Sequence, residues 1–178
     1  MAKIFAAIGA VLVVGIAVVL ILAAMKPDTF QVQRSAAINA PPEKIFALIN
    51  DFKAWTAWSP YETRDPGMKR SYGASTSGKG ATYAWEGDGN VGAGNMEIIE
   101  ASPSSKVTLN LNMVKPIQAH NVVDFTLVPQ GESTMVTWTM RGSVPYFAKI
   151  IHVFLDMDRM VGGDFETGLK NLKAAAER

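Results

Sequence analysis

The two histidines of the chain, His120 and His152, lack the neighbours that catalysis or metal binding requires. His152 and Asp156 are four residues apart on the polar side of a predicted helix, which is typical of a solvated pair. His120 and Asp124 share one face of a predicted strand, but four strand residues separate them by about 13 Å. The sequence has no cysteine, which excludes a thiolate nucleophile and a thiolate metal site. We therefore assign no catalytic residue, no metal ligand and no cofactor.

The segment 87–92 reads Gly-Asp-Gly-Asn-Val-Gly and matches the dinucleotide fingerprint G-x-G-x-x-G. That fingerprint binds a pyrophosphate only when a helix begins directly after it and an acid follows about 20 residues on. Residues 93–100 instead alternate like a strand, and Asn110 and Asn112 stand where the acid should be. We predict a flexible hairpin.

Asp158 is a charged residue at a position where the surrounding pattern predicts an apolar one. It lies inside the apolar stripe of the predicted C-terminal helix, between the rows Phe154–Val161 and Ile151–Phe165. A buried carboxylate needs a partner or a raised pKa. One hypothesis is that Asp158 faces a cavity and hydrogen-bonds the polar end of a ligand. The alternative is a link to the backbone or to a side chain at the cavity rim.

The N-terminal segment Ile4–Met25 contains 22 residues without a charge. As a helix it spans about 33 Å, close to the roughly 30 Å of a bilayer core. A signal peptide has a shorter apolar region, and a core helix has a polar face. We predict a single-pass anchor in the cell membrane at 4–25, a linker at 26–29 and a domain at 30–176. Lys3 nearly balances Lys26 and Arg34 across this segment, and we expect the domain on the exported side.

Hydrophobic spacing predicts the elements of the domain. Residues 30–38 alternate as a strand, and Asn39 with two prolines marks the start of a short helix that includes 44–50. A second short helix is expected at 52–58, stopped by Ser59-Pro60. Residues 68–142 read as an antiparallel meander. Residues 146–177 have the period of one long helix, bent at Gly162-Gly163.

Charge gives no indication of a nucleic-acid partner. The chain has 17 Lys and Arg against 16 Asp and Glu, and setting aside Lys3, Lys26 and Asp28 leaves fifteen of each. A nucleic-acid-binding domain normally carries a basic face. We therefore expect no nucleic-acid binding.

This order of elements, with the text APPEKIFALINDF at 40–52, WSP at 58–60 and MVGGDFETGL at 160–169, resembles the START-like (SRPBCC) superfamily. Birch-pollen-allergen-like proteins and polyketide cyclase/dehydrase-like domains belong to that superfamily. The resemblance implies an α+β helix-grip fold, in which a curved antiparallel sheet wraps a long C-terminal helix around an apolar cavity. It does not imply one activity, because the superfamily includes lipid carriers, hormone receptors and cyclases.

Core packing is enough to explain most of the aromatic and methionine side chains when each is taken alone. Taken together, in a fold that encloses a cavity, they suit an apolar ligand of modest specificity. The whole set is Trp55, Trp58, Tyr61, Tyr83, Trp85, Trp138, Met96, Met113 and Met140. The residues predicted to bind ligand are Trp58, Tyr83, Trp85, Met96, Leu109, Leu111, His120, Trp138, Met140, Phe154 and Asp158.

We interpret the chain as a membrane-anchored domain that binds a hydrophobic small molecule or lipid. Two alternatives stay open. One is a cyclase- or dehydratase-like enzyme that uses Asp158, His120, Glu97 or Tyr83 for acid–base chemistry. The other is an interaction module whose cavity is filled by side chains. The identity of the ligand and the oligomeric state are not predicted.

Overall fold

The computed structural model of the chain describes residues 2–178, apart from the side chains of residues 2, 3, 6 and 7. The charge of Lys3, used in the topology prediction, therefore lies outside the described residues. Helix α1 (Ala2–Met25) is long and apolar enough to cross a membrane, with a mean hydropathy of 3.0 over Ile8–Met25. Only 6% of the residues in Ile8–Met25 are buried against the rest of the protein, whereas a core helix is mostly buried.

After α1 the chain forms a sheet, two short helical turns and three further helices. The strands are β1 (Thr29–Ile38), β2 (Lys69–Tyr72), β3 (Thr82–Glu86), β4 (Ala93–Ser102), β5 (Lys106–Lys115), β6 (Ala119–Gln130) and β7 (Ser133–Ser143). The helices are α2 (Pro42–Asn50), α3 (Tyr146–Phe154) and α4 (Met157–Ala176). Between α2 and β2 lie 3-10 turns at Phe52–Ala57 and Pro60–Thr63.

The seven strands form one antiparallel sheet in the order β1-β7-β6-β5-β4-β3-β2. The strands from β2 to β7 are a meander, and β1 closes the far edge by pairing with β7. Register shifts in β4, at Ala93/Gly94 and Ile98/Glu100, introduce the bulges that bend a strand. Helix α4 packs against β1 and the inner face of the sheet, which confirms the predicted α+β class.

An aromatic cluster joins α4 to the sheet. The ring of Trp138 on β7 stacks on Phe165 of α4 with centroids 4.1 Å apart, and Trp58 meets Trp138 edge-on at 5.6 Å. Gly168 permits this approach, because a Cβ there would lie 2.6 Å from the Trp138 ring. Such aromatic pairs contribute about 0.5–1.5 kcal/mol beyond the area they bury.

The C-terminal segment differs from its prediction because it is two helices rather than one. Helix α3 ends at Phe154, and Leu155 adopts an extended conformation. Asp156 then begins α4 as an N-cap, since its carboxylate accepts a hydrogen bond from the N–H of Arg159 at 3.2 Å. Gly162 and Gly163, where a bend was predicted, both lie within α4.

One smaller prediction at the start of the domain is wrong. Asn39 does not cap α2, because Pro41 occupies the cap position and the N–H of Asn39 donates to the Glu177 carboxylate at 2.7 Å. The short helix expected at 52–58 is the 3-10 turn Phe52–Ala57, which ends before Ser59-Pro60 as predicted, and Pro60 begins the second 3-10 turn. Proline is well suited to that first position because its φ is already fixed near the helical value.

Gly162 has a structural role that Gly163 lacks. The guanidinium of Arg34 lies directly over Gly162 and reaches Asp158 and Glu166, at 2.9 Å and 2.7 Å, on either side of it. A Cβ at Gly162 would collide with that guanidinium, whereas a Cβ at Gly163 would meet nothing within 4 Å.

We therefore expect different effects from two adjacent glycine-to-alanine substitutions. Gly163→Ala should raise the free energy of unfolding by about 0.5–1 kcal/mol, the gain in helix propensity. Gly162→Ala should lose most of that gain, because the Arg34 guanidinium must shift away from Asp158 and Glu166, whose exposed ion pairs are together of similar magnitude. Thermal unfolding of the two variants measures this difference, and an equal shift in both would contradict it.

Candidate ligand-binding cavity

A cavity of about 570 Å³ lies between the inner face of the sheet and helices α3 and α4. Strands β3 to β7 supply one wall, and the helices supply the other through Ile151, Met157, Val161 and Phe165. Most wall residues are aliphatic, aromatic or methionine, because the inward positions of the half-buried strands carry these residues.

All eight predicted ligand-binding residues on strands line this cavity. They are Tyr83, Trp85, Met96, Leu109, Leu111, His120, Trp138 and Met140. Trp58 does not line it, since its ring is buried in the aromatic cluster and its indole N–H donates to the carbonyl oxygen of Leu48 at 2.9 Å. Whether any of these residues contacts a ligand stays a prediction.

Phe154 and Asp158 do not reach the cavity, which corrects both predictions for the helical residues. Phe154 is the last residue of α3 and is 72% exposed. The Asp158 side chain is 59% exposed and pairs with Arg34 through both carboxylate oxygens, at 2.9 Å and 3.0 Å. Hydrogen bonds from Arg34 lower the pKa of Asp158 rather than raising it. The alternative interpretation, in which Asp158 is linked to another side chain and not to a ligand, is therefore the correct one.

The first polar group of the wall, which the sequence analysis missed, is a carboxylate held by two donors. The Glu62 side chain is 5% exposed. It accepts hydrogen bonds from Arg70 Nε at 2.6 Å and from the hydroxyl of Tyr83 at 2.7 Å. Burial, together with the hydrogen bond to Glu62, raises the pKa of Tyr83 well above its ordinary value. The Tyr83 hydroxyl therefore stays protonated and donates a hydrogen bond to the Glu62 carboxylate.

A second polar group, also missed, lies on the helix side of the cavity. Asp164 of α4 forms an ion pair with Arg64, and the Arg64 guanidinium lies 5.0 Å from the centre of the Tyr61 ring. Tyr61 and Asp164 both line the cavity. Burial first, and the nearby negative charge of Asp164 second, raise the pKa of Tyr61. Both carboxylates of the wall are thus neutralised by an arginine.

Two polar atoms of residues that line the cavity have no hydrogen-bond partner among the described residues. One is the indole N–H of Trp138, and the other is Oδ1 of Asn121. The other three tryptophans each donate to a backbone carbonyl oxygen. Buried polar groups are nearly always paired in native proteins, so an unpaired donor and an unpaired acceptor beside a cavity are notable.

The other candidate acid–base groups do not converge on the cavity. His120 lies at its rim with Nδ1 2.8 Å from Asn112 Oδ1, and Glu97 is exposed on β4 outside the cavity wall. His152 lines the cavity, and burial together with the charge of Lys26 lowers its pKa. The expected solvated pair with Asp156 does not form, because Asp156 lies beyond the end of α3.

Within residues 2–178, no group of three His, Asp or Glu side chains is arranged to hold a metal ion. The G-x-G-x-x-G segment is the turn between β3 and β4, as predicted, and a strand follows it rather than a helix. Gly92 has a φ of 63°, which glycine adopts without strain. The segment therefore offers no helix N-terminus to a phosphate.

An antiparallel sheet closed by a C-terminal helix over an apolar cavity defines a helix-grip domain. Residues 29–177 match the model of the family described as polyketide cyclase / dehydrase and lipid transport. The chain belongs to that family. No curated protein matches the sequence.

Solved structures with the same fold share little sequence with this chain. Protein CV1439 from Chromobacterium violaceum is 16% identical over 86% of this chain and 99% of its own, with a TM-score of 0.60. Ginseng major latex-like protein 151 from Panax ginseng is 12% identical over 85% and 100%, with a TM-score of 0.61. The Aha1 dimer from Colwellia psychrerythraea is 17% identical over 83% and 96%, with a TM-score of 0.60. At these identities the likeness concerns the fold alone.

Proposed function

We propose that the protein is a membrane-tethered binding protein whose cavity holds a hydrophobic small molecule or lipid. The observation that carries the proposal is the apolar cavity of about 570 Å³. Packed cores contain few voids larger than a water molecule, whereas small-molecule sites measure about 300–1,000 Å³. Lipid transport is also one of the activities named in the description of the family.

The tether supports the same function. The segment 4–25 would anchor the chain, and only residues 26–28 separate α1 from β1. Three residues reach at most about 10 Å, so the domain at 30–176 would stay close to the bilayer. Apolar ligands partition into bilayers, and holding the cavity nearby raises their effective concentration. We keep the prediction that the domain is on the exported side.

The enzyme alternative has less support. General acid–base catalysis needs a group that is free to take or give a proton at the reacting atom. Glu62 and Asp164 each accept from an arginine, and the raised pKa of Tyr83 keeps its hydroxyl protonated. His120 and His152 also line the cavity, but neither is hydrogen-bonded to another acid or base among the described residues. The interaction-module alternative requires a cavity filled by side chains, and a space of this volume counts against it.

Native mass spectrometry of the full chain, released from nanodiscs, tests the proposal. We expect one retained lipid or small molecule per chain and, after delipidation, uptake of about one equivalent of a fluorescent fatty acid. Lipids that merely surround α1 would also remain on a variant whose cavity is filled, so the Leu111→Trp variant serves as the control. Equal retention and uptake by both proteins would overturn the proposal.

A further inference from the structure

The cavity opens beside helix α3. Phe147 of α3 and Ile117 of the β5–β6 turn both contribute to the cavity wall, yet they are 70% and 53% exposed. Ile151 and Met157 line the wall next to them and are only partly buried. A wall residue that is mostly exposed marks the place where the cavity meets the outside.

Exposed apolar side chains concentrate on the segments that border this opening. Apart from α1, the described large apolar side chains that are exposed number eight, and seven of them lie within residues 146–160 or 114–117. We name six of these the apolar rim, namely Val114, Ile117, Phe147, Phe154, Leu155 and Met160. Ile117 and Phe147 line the cavity itself, and exposed apolar surface beside a cavity marks an interaction site.

Contacts with α1 set the position of the rim relative to the apolar span. The hydroxyl of Tyr146, the first residue of α3, donates to the carbonyl oxygen of Leu20 at 2.9 Å. Ala23 is fully buried, and α1 packs against α3. Leu20 precedes Met25 by five residues, which is about 7.5 Å along a helix. Helix α3 therefore lies beside the last turns of the span, not beyond its end.

The linker fixes this arrangement. Lys149 of α3 is buried and its Nζ lies 2.5 Å from the carboxylate of Asp28. The carbonyl oxygen of Asp28 accepts a hydrogen bond from the N–H of Val144 at 2.7 Å. The last residue of the linker, Asp28, is thus tied both to α3 and to the residue Val144 just before it, which holds α3 next to the end of α1.

We propose that α3 and the apolar rim lie in the interfacial layer of the bilayer that α1 crosses, so that the cavity opens into lipid. Interfacial helices bury their apolar face about 5–10 Å into the headgroup/acyl boundary, which is comparable to the distance of about 7.5 Å along α1 from Leu20 to Met25. Tyrosine is enriched at this level of membranes, which suits Tyr146. A ligand would then pass between bilayer and cavity without crossing water. This inference rests on the proposed membrane tether.

The absence of cysteine allows a direct test with single nitroxide labels on the full chain in phosphatidylcholine/phosphatidylglycerol nanodiscs. Phe154→Cys and Ile117→Cys report on the rim, and Val14→Cys reports on the span. Glu132→Cys, in the β6–β7 turn at the opposite end of the strands, is the aqueous control. We expect the ratio of oxygen to nickel-chelate collision rates at both rim labels to exceed that at Glu132 by at least about tenfold.

The outcomes separate the inference from the proposed tether. Rim labels that behave like Glu132, while Val14 lies in hydrocarbon, would overturn the interfacial rim and leave the tether intact. A label at Val14 that is exposed to water would overturn both the interfacial rim and the tether. Spin–spin broadening at Phe154 with protection from both quenchers would instead assign the rim to contact with a second copy of the chain.

Discussion

Arg70→Met is expected to lower the free energy of unfolding by about 3 kcal/mol, because it leaves the buried carboxylate of Glu62 without its cation. The Glu62 side chain is 5% exposed, and Arg70 supplies a hydrogen bond at 2.6 Å as well as its charge. Tyr83 would still donate one hydrogen bond but cannot balance the charge. Urea unfolding in detergent micelles, followed by tryptophan fluorescence, measures the change.

The Lys115–Glu86 pair is the matched control, since both side chains are at least 60% exposed. Lys115→Met should change the free energy of unfolding by no more than about 0.5 kcal/mol. A triple variant with Arg70→Met, Glu62→Leu and Tyr83→Phe should recover most of the lost stability, because no charge or hydroxyl is then left unpaired. Equal losses from Arg70→Met and Lys115→Met would contradict a buried ion pair at Glu62.

Leu111→Trp is expected to weaken uptake of a fluorescent fatty acid at least about tenfold, which corresponds to about 1.4 kcal/mol. Leu111 lines the cavity on β5 opposite Met96, and a larger ring there occupies space that the ligand would use. The free energy of unfolding should change little, because the added atoms enter a cavity and not a packed core.

Asn110→Trp provides the control for this substitution. Asn110 precedes Leu111 on β5 and therefore points to the opposite face of the sheet, outside the internal cavity. Binding isotherms of both variants, measured on delipidated full chain, should separate them by the same tenfold factor. Unchanged affinity in Leu111→Trp, with the fold intact, would place the ligand elsewhere.

The strands and their inner faces were predictable because the side chains of a half-buried strand alternate between an apolar inner face and a polar outer face. Val107, Leu109 and Leu111 alternate with polar residues on β5, and the pairing with β4 and β6 places Leu109 and Leu111 on the cavity wall. A shift of one residue would have turned the whole set outward. The sequence pattern alone therefore placed the predicted strand residues on the wall correctly.

The two helical residues predicted to bind ligand, Phe154 and Asp158, were placed on the wall wrongly for a single reason. A stripe drawn through 146–177 assumes one continuous helix, but the extended Leu155 interrupts it and α4 begins again at Met157 with a new phase. Phe154 and Asp158, on either side of the interruption, consequently face away from the cavity. Asp156 causes the restart, and in the sequence it is indistinguishable from an ordinary polar residue of a helix.

Glu62 was not predictable because nothing local marks it as buried. It lies in a 3-10 turn of four residues, which is too short for any periodicity. Its partners Arg70 and Tyr83 are 8 and 21 residues away and reach it only when β2 and β3 pair. The polar groups of the cavity thus depend on tertiary structure, whereas the sheet side of its apolar wall follows from strand alternation.

The place of β1 at the edge of the sheet also determines the order in which a growing chain can fold. Strands β2 to β7 can pair one hairpin after another as they leave the ribosome, whereas β1 is made first and pairs with β7 last. Ser35 and Thr137, which face each other across that final pairing, are 102 residues apart. Until then β1 is an unpaired strand, open to pairing with other chains. The charge of Arg34 on β1 discourages such aggregation until α4 has formed and its carboxylates can pair with Arg34.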